Sequence, residues 1–153
     1  MIKRVLSLAA AALLASCALY CSAQDGGYWR AASNTAVSIT GDVNISNAKV
    51  VIDFLAFPLA PIRPLKPVEV SAVFDADVSA GINGMLYRLK VPAGQRFQHK
   101  NTLCGGEDTQ WMATYATGRN LQVAFFSSDD MPEFTFDAIS KSSTLCGTYV
   151  YAR

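Results

Sequence analysis

Histidine is nearly missing from this chain: there is one, His99, in 153 residues. That excludes a histidine-rich zinc centre, and any hydrolase triad that does not use His99 itself as its base. His99 lies in the polar stretch Gln95 to Lys100, between Arg96 and Lys100, and the chain contains no nucleophile elbow. It reads as an exposed loop residue. Charge is sparse too, at 16% of residues, and no block of one sign marks a disordered tail or an electrostatic membrane contact. Thirteen basic residues, less Lys3 and Arg4 of the leader described below, leave 11 against 12 acidic ones, a net charge of −1. A surface without cationic excess displaces few counterions from a polyanion, so nucleic acid is not an expected partner.

The acidic residues form no recognisable site. Asp75-Ala76-Asp77 lacks the later oxygen ligands and the glutamate of a calcium loop, and reads as a solvated turn. Glu107, Asp108, Asp129, Asp130 and Glu133 fall in loops, where paired carboxylates are too common to assign glycosidase chemistry. No cofactor signature is present, and the expectation is a non-enzymatic protein.

What the chain does have begins with a leader. Lys3 and Arg4 precede an apolar stretch from Val5 to about Leu14, followed by small residues. This is a secretory signal peptide, expected over residues 1–23, and too short to remain as a membrane span. Two processing routes compete. Cys21-Ser22-Ala23 before Gln24 offers the small residues a signal peptidase reads, giving a soluble mature chain that is periplasmic or secreted. Leu14-Ala15-Ser16-Cys17 resembles a bacterial lipobox, and lipid on Cys17 would anchor the chain in the envelope instead. Cysteine arithmetic favours the first route, because cleavage after Ala23 leaves two cysteines, Cys104 and Cys146, in an oxidising compartment. The remainder, residues 24–153, suits one domain with a core of its own.

Most of that remainder alternates with the period of a half-buried strand. Thr35 to Thr40, Val68 to Phe74 and Met85 to Val91 all read this way; in the last, Met85, Tyr87, Leu89 and Val91 share a face opposite Arg88 and Lys90. The dense run Lys49 to Phe57, with Asp53 its only charge, reads as one central strand closed by Pro58. Pro58, Pro61, Pro64 and Pro67 recur every third residue, the polyproline II period, and predict a stiff connection that blunts a sheet edge. Gln110 to Tyr115 and Asn120 to Phe126, separated by Thr117-Gly118-Arg119, predict a hairpin. Phe134 to Phe136 and Thr148 to Tyr151 complete the set, the last with Tyr149 and Tyr151 on one side. Turn signals every 8 to 12 residues or so predict an all-β fold of about eight antiparallel strands with little helix, closed as a small barrel or packed as a sandwich.

Asn101-Thr102-Leu103-Cys104-Gly105-Gly106 and Thr144-Leu145-Cys146-Gly147-Thr148-Tyr149 each hold a cysteine between leucine and glycine. A disulfide between Cys104 and Cys146 is expected; it would close a loop of roughly 43 residues, worth about 4 kcal/mol in the chain-entropy limit. Two free thiols are the alternative, but no Cys-x-x-Cys pair in the mature chain suggests thiol redox chemistry.

Taken in order, Trp29, Ser33 to Asp42, Met85-Leu86-Tyr87-Arg88, Asn101 to Gly106, Trp111 and Leu145 to Tyr151 resemble a family of small exported proteobacterial proteins. The resemblance covers most of the mature chain. It implies an exported, single-domain protein with a cysteine pair, and carries no catalytic or ligand residue to these positions.

Two functional expectations follow, ahead of a third, an enzyme, for which the lone histidine and the missing motifs leave no mechanism. One is a binding module of the envelope with a protein partner, extending to an inhibitor of, or immunity factor against, a cell-wall hydrolase; Trp111, Tyr149 and Tyr151 are its expected contact residues. The other is a carrier of a small apolar ligand inside a barrel lined by Trp29, Phe54, Tyr87, Trp111 and Phe125. A ligand-sized interior cavity distinguishes them. A membrane partner is expected only through lipid on Cys17.

Overall fold

The computed structural model describes residues 24–77 and 83–153. The expected signal peptide, with Cys17, lies outside the described residues. Eight antiparallel strands run in chain order around a closed barrel: β1 (Gly27–Ala31), β2 (Val43–Ile45), β3 (Lys49–Ile52), β4 (Leu55–Pro64), β5 (Gly84–Val91), β6 (Thr109–Thr117), β7 (Asn120–Phe126) and β8 (Leu145–Ala152). Each pairs with the next, and β8 returns to β1 through Arg30↔Ala152 and Ala31↔Tyr151, so no edge is left open. A barrel, not a sandwich, is the closure formed.

The alternation of β5 sorts as its sequence suggests. Tyr87, Leu89 and Val91 enter the inner core with Met85 packed against it, while Arg88 is half-buried and Lys90 exposed on the outside. Trp29, Leu121, Val123, Phe125, Tyr149 and Tyr151 join the same inner core. A second core lies outside the barrel wall, where α1 (Pro67–Phe74) brings Val70, Val73 and Phe74 against a cluster that includes Leu86, Trp111, Ala113 and Tyr115. Strand β6 is therefore buried on both faces. Gly84 is required by this layer, since a Cβ there would stand 2.6 Å from Val70 Cγ2. Among the described residues no helix is long and apolar enough to cross a membrane.

Up-and-down order also divides the connections between two ends. Residues 32–42, 53–54, 92–108 and 127–144 link strands at one end, called here the loop end. At the other end the N-terminal segment enters the barrel: Asp25, 2% exposed, accepts hydrogen bonds at Oδ2 from Tyr87 Oη (2.8 Å) and Thr114 Oγ1 (2.5 Å). Its carbonyl accepts from Trp29 Nε1 at 2.8 Å. Arg153 stacks its guanidinium 4.0 Å from the Trp29 ring centroid and donates to the Gly26 carbonyl, tying the C-terminus across the same end.

Several segments fold otherwise than their alternation predicts. Residues 36–40 form a helical turn, Ala36–Thr40, in place of a strand. Ser33 Oγ accepts the Ala36 N–H at 3.1 Å, and the two buried positions, Ala36 and Thr40, are four residues apart, not two. Thr40 Oγ1 meets Tyr151 Oη at 2.8 Å, which pins the turn over the barrel mouth. Residues 67–74 form the helix α1 despite three valines, because Pro67 occupies its first turn and Glu69 accepts the Lys66 N–H at 2.8 Å. Of its four buried residues, Val70, Val73 and Phe74 follow helical spacing, with Ala72 buried beside them. Phe134 to Phe136 is not a strand either: Thr135 Oγ1 accepts the Ala138 N–H and caps α2 (Phe136–Ser140).

The proline segment is sheet and not a connection. Pro58 makes the last pair of β4 with β3, and the register toward β5 shifts between Pro61 and Arg63. The prolines thus cluster where the strand changes partner and bulges, positions where a missing N–H does least harm. The run Lys49 to Phe57 is also not one strand. Ile52 pairs with Leu55, so Asp53 and Phe54 are the two residues of a tight hairpin turn.

Candidate functional site

The turn at residues 53–54 is conformationally expensive. Asp53 has φ 48° and Phe54 φ 66°, left-handed values at both central positions of a two-residue hairpin, where Asn-Gly or Asp-Gly is the favoured pair. Aspartate tolerates this region; a bulky aromatic rarely adopts it. The Phe54 ring is 95% exposed, so no burial within the described residues offsets that strain. Phe54 had been expected to line a barrel interior. The register forbids it, because a turn residue belongs to neither face of the wall.

Beside this ring lies a groove of about 260 Å³ on the outer wall at the loop end. Val51 and the polar Asn44 form its floor, Tyr28 and Phe54 supply aromatic walls, and Thr40, Gln98 and the backbone at Val43, whose side chain is in the inner core, complete the lining. Strand register builds it: Tyr28 pairs with Asn44, and Asn44 with Val51, placing the three in one row across β1, β2 and β3. Two carboxylates border it. Asp42 Oδ1 accepts the Ala31 N–H at 2.8 Å, and Tyr28 Oη donates a hydrogen bond to Oδ2. These bonds hold the Asp42 carboxyl below its usual range, the tyrosine bond contributing most, and the same bond raises Tyr28. Asp53 Oδ1 accepts from Gln98 Nε2 at 2.6 Å, which ties the hairpin tip to the short helical turn Gln98–Lys100. Asn101 Nδ2 in turn donates to the Ser38 carbonyl at 2.8 Å, so the loops of this end brace one another.

The residues singled out from sequence lie elsewhere. Tyr149 and Tyr151 are wholly buried in the barrel, and Trp111 is 8% exposed, so none presents a surface to a partner. Inward alternation on β8 places the tyrosines; desolvation pushes the Tyr149 hydroxyl up to about 12. Trp111 lies outside the wall but is covered, with Arg88 4.6 Å from its ring centroid and its Nε1 donating to the Ser128 carbonyl at 3.0 Å. Cys104 and Cys146 form the expected disulfide, which ties the loop before β6 to the start of β8. His99 is exposed in a loop, its Nδ1 3.2 Å from the Ser38 carbonyl. Among the described residues no group of three or more His, Cys, Asp or Glu side chains is placed to hold a metal ion.

The interior positions a carrier would leave open are occupied by Trp29, Phe125, Tyr149 and Tyr151, each at most 1% exposed. Asp53 and Phe54 sit inside an apolar run that hides their turn from the local pattern. Asp53, the single charge interrupting that run, was the available signal for a turn. No protein-family model, curated protein or solved structure matches the chain.

Proposed function

We propose that this chain is an exported, non-catalytic binding module that takes a protein partner at the loop end, with Phe54 as its anchor. One observation carries the reading: an aromatic side chain is held out into solvent at a left-handed position that glycine would occupy more favourably. Strain and apolar exposure at one residue are features that a binding function retains against stability. Aromatic residues that project from a rigid frame and bury on association dominate binding energy at protein interfaces. The frame here is rigid, being a closed ladder with the Gln98–Asp53 bond at the tip and the Cys104–Cys146 disulfide in the neighbouring loops.

The disulfide suits an oxidising compartment and so supports export. The apolar side chains point into the barrel, the reverse of a transmembrane barrel with its polar lumen, which supports a module acting in aqueous surroundings. An envelope enzyme such as a cell-wall hydrolase, restrained by a protruding hairpin, is one partner class within this reading.

The test places a photoreactive phenylalanine analogue at position 54, and in a second variant at position 119 in the β6–β7 turn at the opposite end, in the protein exported by its own host. A discrete adduct from position 54 that is missing from position 119 is the expected result. No adduct at 54, or equal adducts at both, overturns the proposal.

A further inference from the structure

We infer that the groove beside Phe54 receives a lysine or arginine side chain from the partner. This rests on the binding reading above and names the chemistry of the contact. The groove has Val51 and Asn44 on its floor, Tyr28 and Phe54 as aromatic walls, Asp42 and Asp53 at an acidic border, and the uncharged polar Thr40 and Gln98 in the rest of its lining. Among the described residues no basic one lines it. Arg30, two residues along β1 from Tyr28, acts on Asp42, but as the smallest of the influences there.

The ion pairs among the described residues join Arg63 to Glu69, Lys90 to Asp108 and Lys141 to Asp137, so neither groove carboxylate is neutralised by one. Asp53 uses Oδ1 for Gln98 and leaves Oδ2 without a hydrogen-bond partner among the described residues. An apolar guest would fill the floor and leave both charges facing it with their hydration lost, which is costly. An acidic guest would be repelled. A lysine or arginine matches the apolar, aromatic and acidic parts of the lining together: its methylene stem covers Val51, its charge meets the carboxylates, and its head lies against aromatic faces.

The distribution of bonds makes the inference testable by one isosteric change. Asp53→Asn removes the charge but keeps an acceptor for Gln98 Nε2, and asparagine is at home in the left-handed region that residue 53 occupies. The variant is therefore expected to fold as well as the wild type.

The mature protein, labelled with nitrogen-15 in its host, is titrated by NMR with three probes: N-acetyl-lysine methylamide, its arginine counterpart, and the uncharged isostere N-acetyl-norleucine methylamide. The lysine and arginine probes are expected to shift the amides of Val43, Val51 and Phe54 saturably, and to bind more weakly as salt is raised. D53N is expected to weaken them about fivefold. Norleucine binding as well as lysine, or D53N binding lysine as well as wild type, overturns the inference. Failure of this inference is separable from failure of the binding reading. A position-54 adduct that persists in D53N together with equal norleucine binding removes the cation and leaves the partner. Lysine-probe binding with no position-54 adduct removes the partner.

Discussion

Phe54→Gly is expected to make the protein more stable, although it deletes a whole aromatic side chain. With 95% of the ring exposed, its removal forfeits almost no buried area. At φ 66° an L-residue carries a left-handed penalty of about 1 to 2 kcal/mol, which glycine does not have. Glycine loses roughly 0.5 to 1 kcal/mol more on ordering than a residue with a side chain. The difference is a gain of up to about 1.5 kcal/mol. Phe54→Asn, which tolerates the same conformation without glycine's entropy, is expected to gain about as much.

Urea unfolding of the mature wild type and both variants, at unchanged slope, reads the sign directly. A phenylalanine that contributed to the core would instead cost about 3 to 5 kcal/mol on truncation. Destabilisation beyond about 1 kcal/mol in both variants would show that the ring packs within the protein. The argument from uncompensated strain would then fail, and with it the anchor role. A stable F54G that no longer contacts its partner is the signature of a residue kept for binding.

Three further outcomes follow from the structure. Arg63 holds Glu69 with paired bonds of 2.7 and 2.8 Å and lowers its carboxyl pKa. Because the folded value lies below the unfolded one, near 4.5, the stability is present above that value and is lost as pH falls through the folded pKa. Wild type should thus exceed Glu69→Gln by about 1 kcal/mol at neutral pH, the gap closing in acid; a constant gap in thermal scans across pH 2 to 7 or so would refute the linkage. Converting Cys104 and Cys146 to serine should cost up to about 4 kcal/mol, given a sequence separation of 42, and intact mass should show two hydrogens gained on reduction of the wild type. Asp25→Ala strands the hydroxyls of Tyr87 and Thr114 inside the barrel and should cost about 2 to 4 kcal/mol in denaturant melts; a neutral result would mean that water replaces the carboxylate there.

The parts of this fold legible in the sequence are those governed by local period. The alternation of β5 and the hairpin of β6 and β7 follow from residues a few positions apart, as does the placement of Tyr149 and Tyr151 on one side of β8, though not that this side faces inward and away from any partner. The disulfide was readable for a different reason: the two cysteines outside the expected leader, Cys104 and Cys146, have one pairing. Alternation is ambiguous when a segment is short, and there the tertiary context decided. Residues 36–40 and 67–74 carry strand-like composition, but a serine cap, an N-terminal proline and a glutamate bond favour helix, and each helix has a barrel surface to cover.

Which apolar face looks inward is a further matter that no single strand contains. Trp111 and Tyr115 alternate as a core face should, yet they lie outside the wall, where Phe74 of α1 stacks on Tyr115 and Arg88 and the loop at Ser128 cover Trp111, while Met112 on the other face enters the barrel. The candidate site was the least legible of all. Tyr28, Asp42, Val51 and Phe54 lie up to 26 positions apart, on β1, the loop before β2, β3 and the next turn, and no one segment shows a groove. Sequence by itself determined which residues seek burial and which can turn. Only closure of the barrel decided which of them meet, because register across strands is set by the summed packing of all eight, not by any one of them.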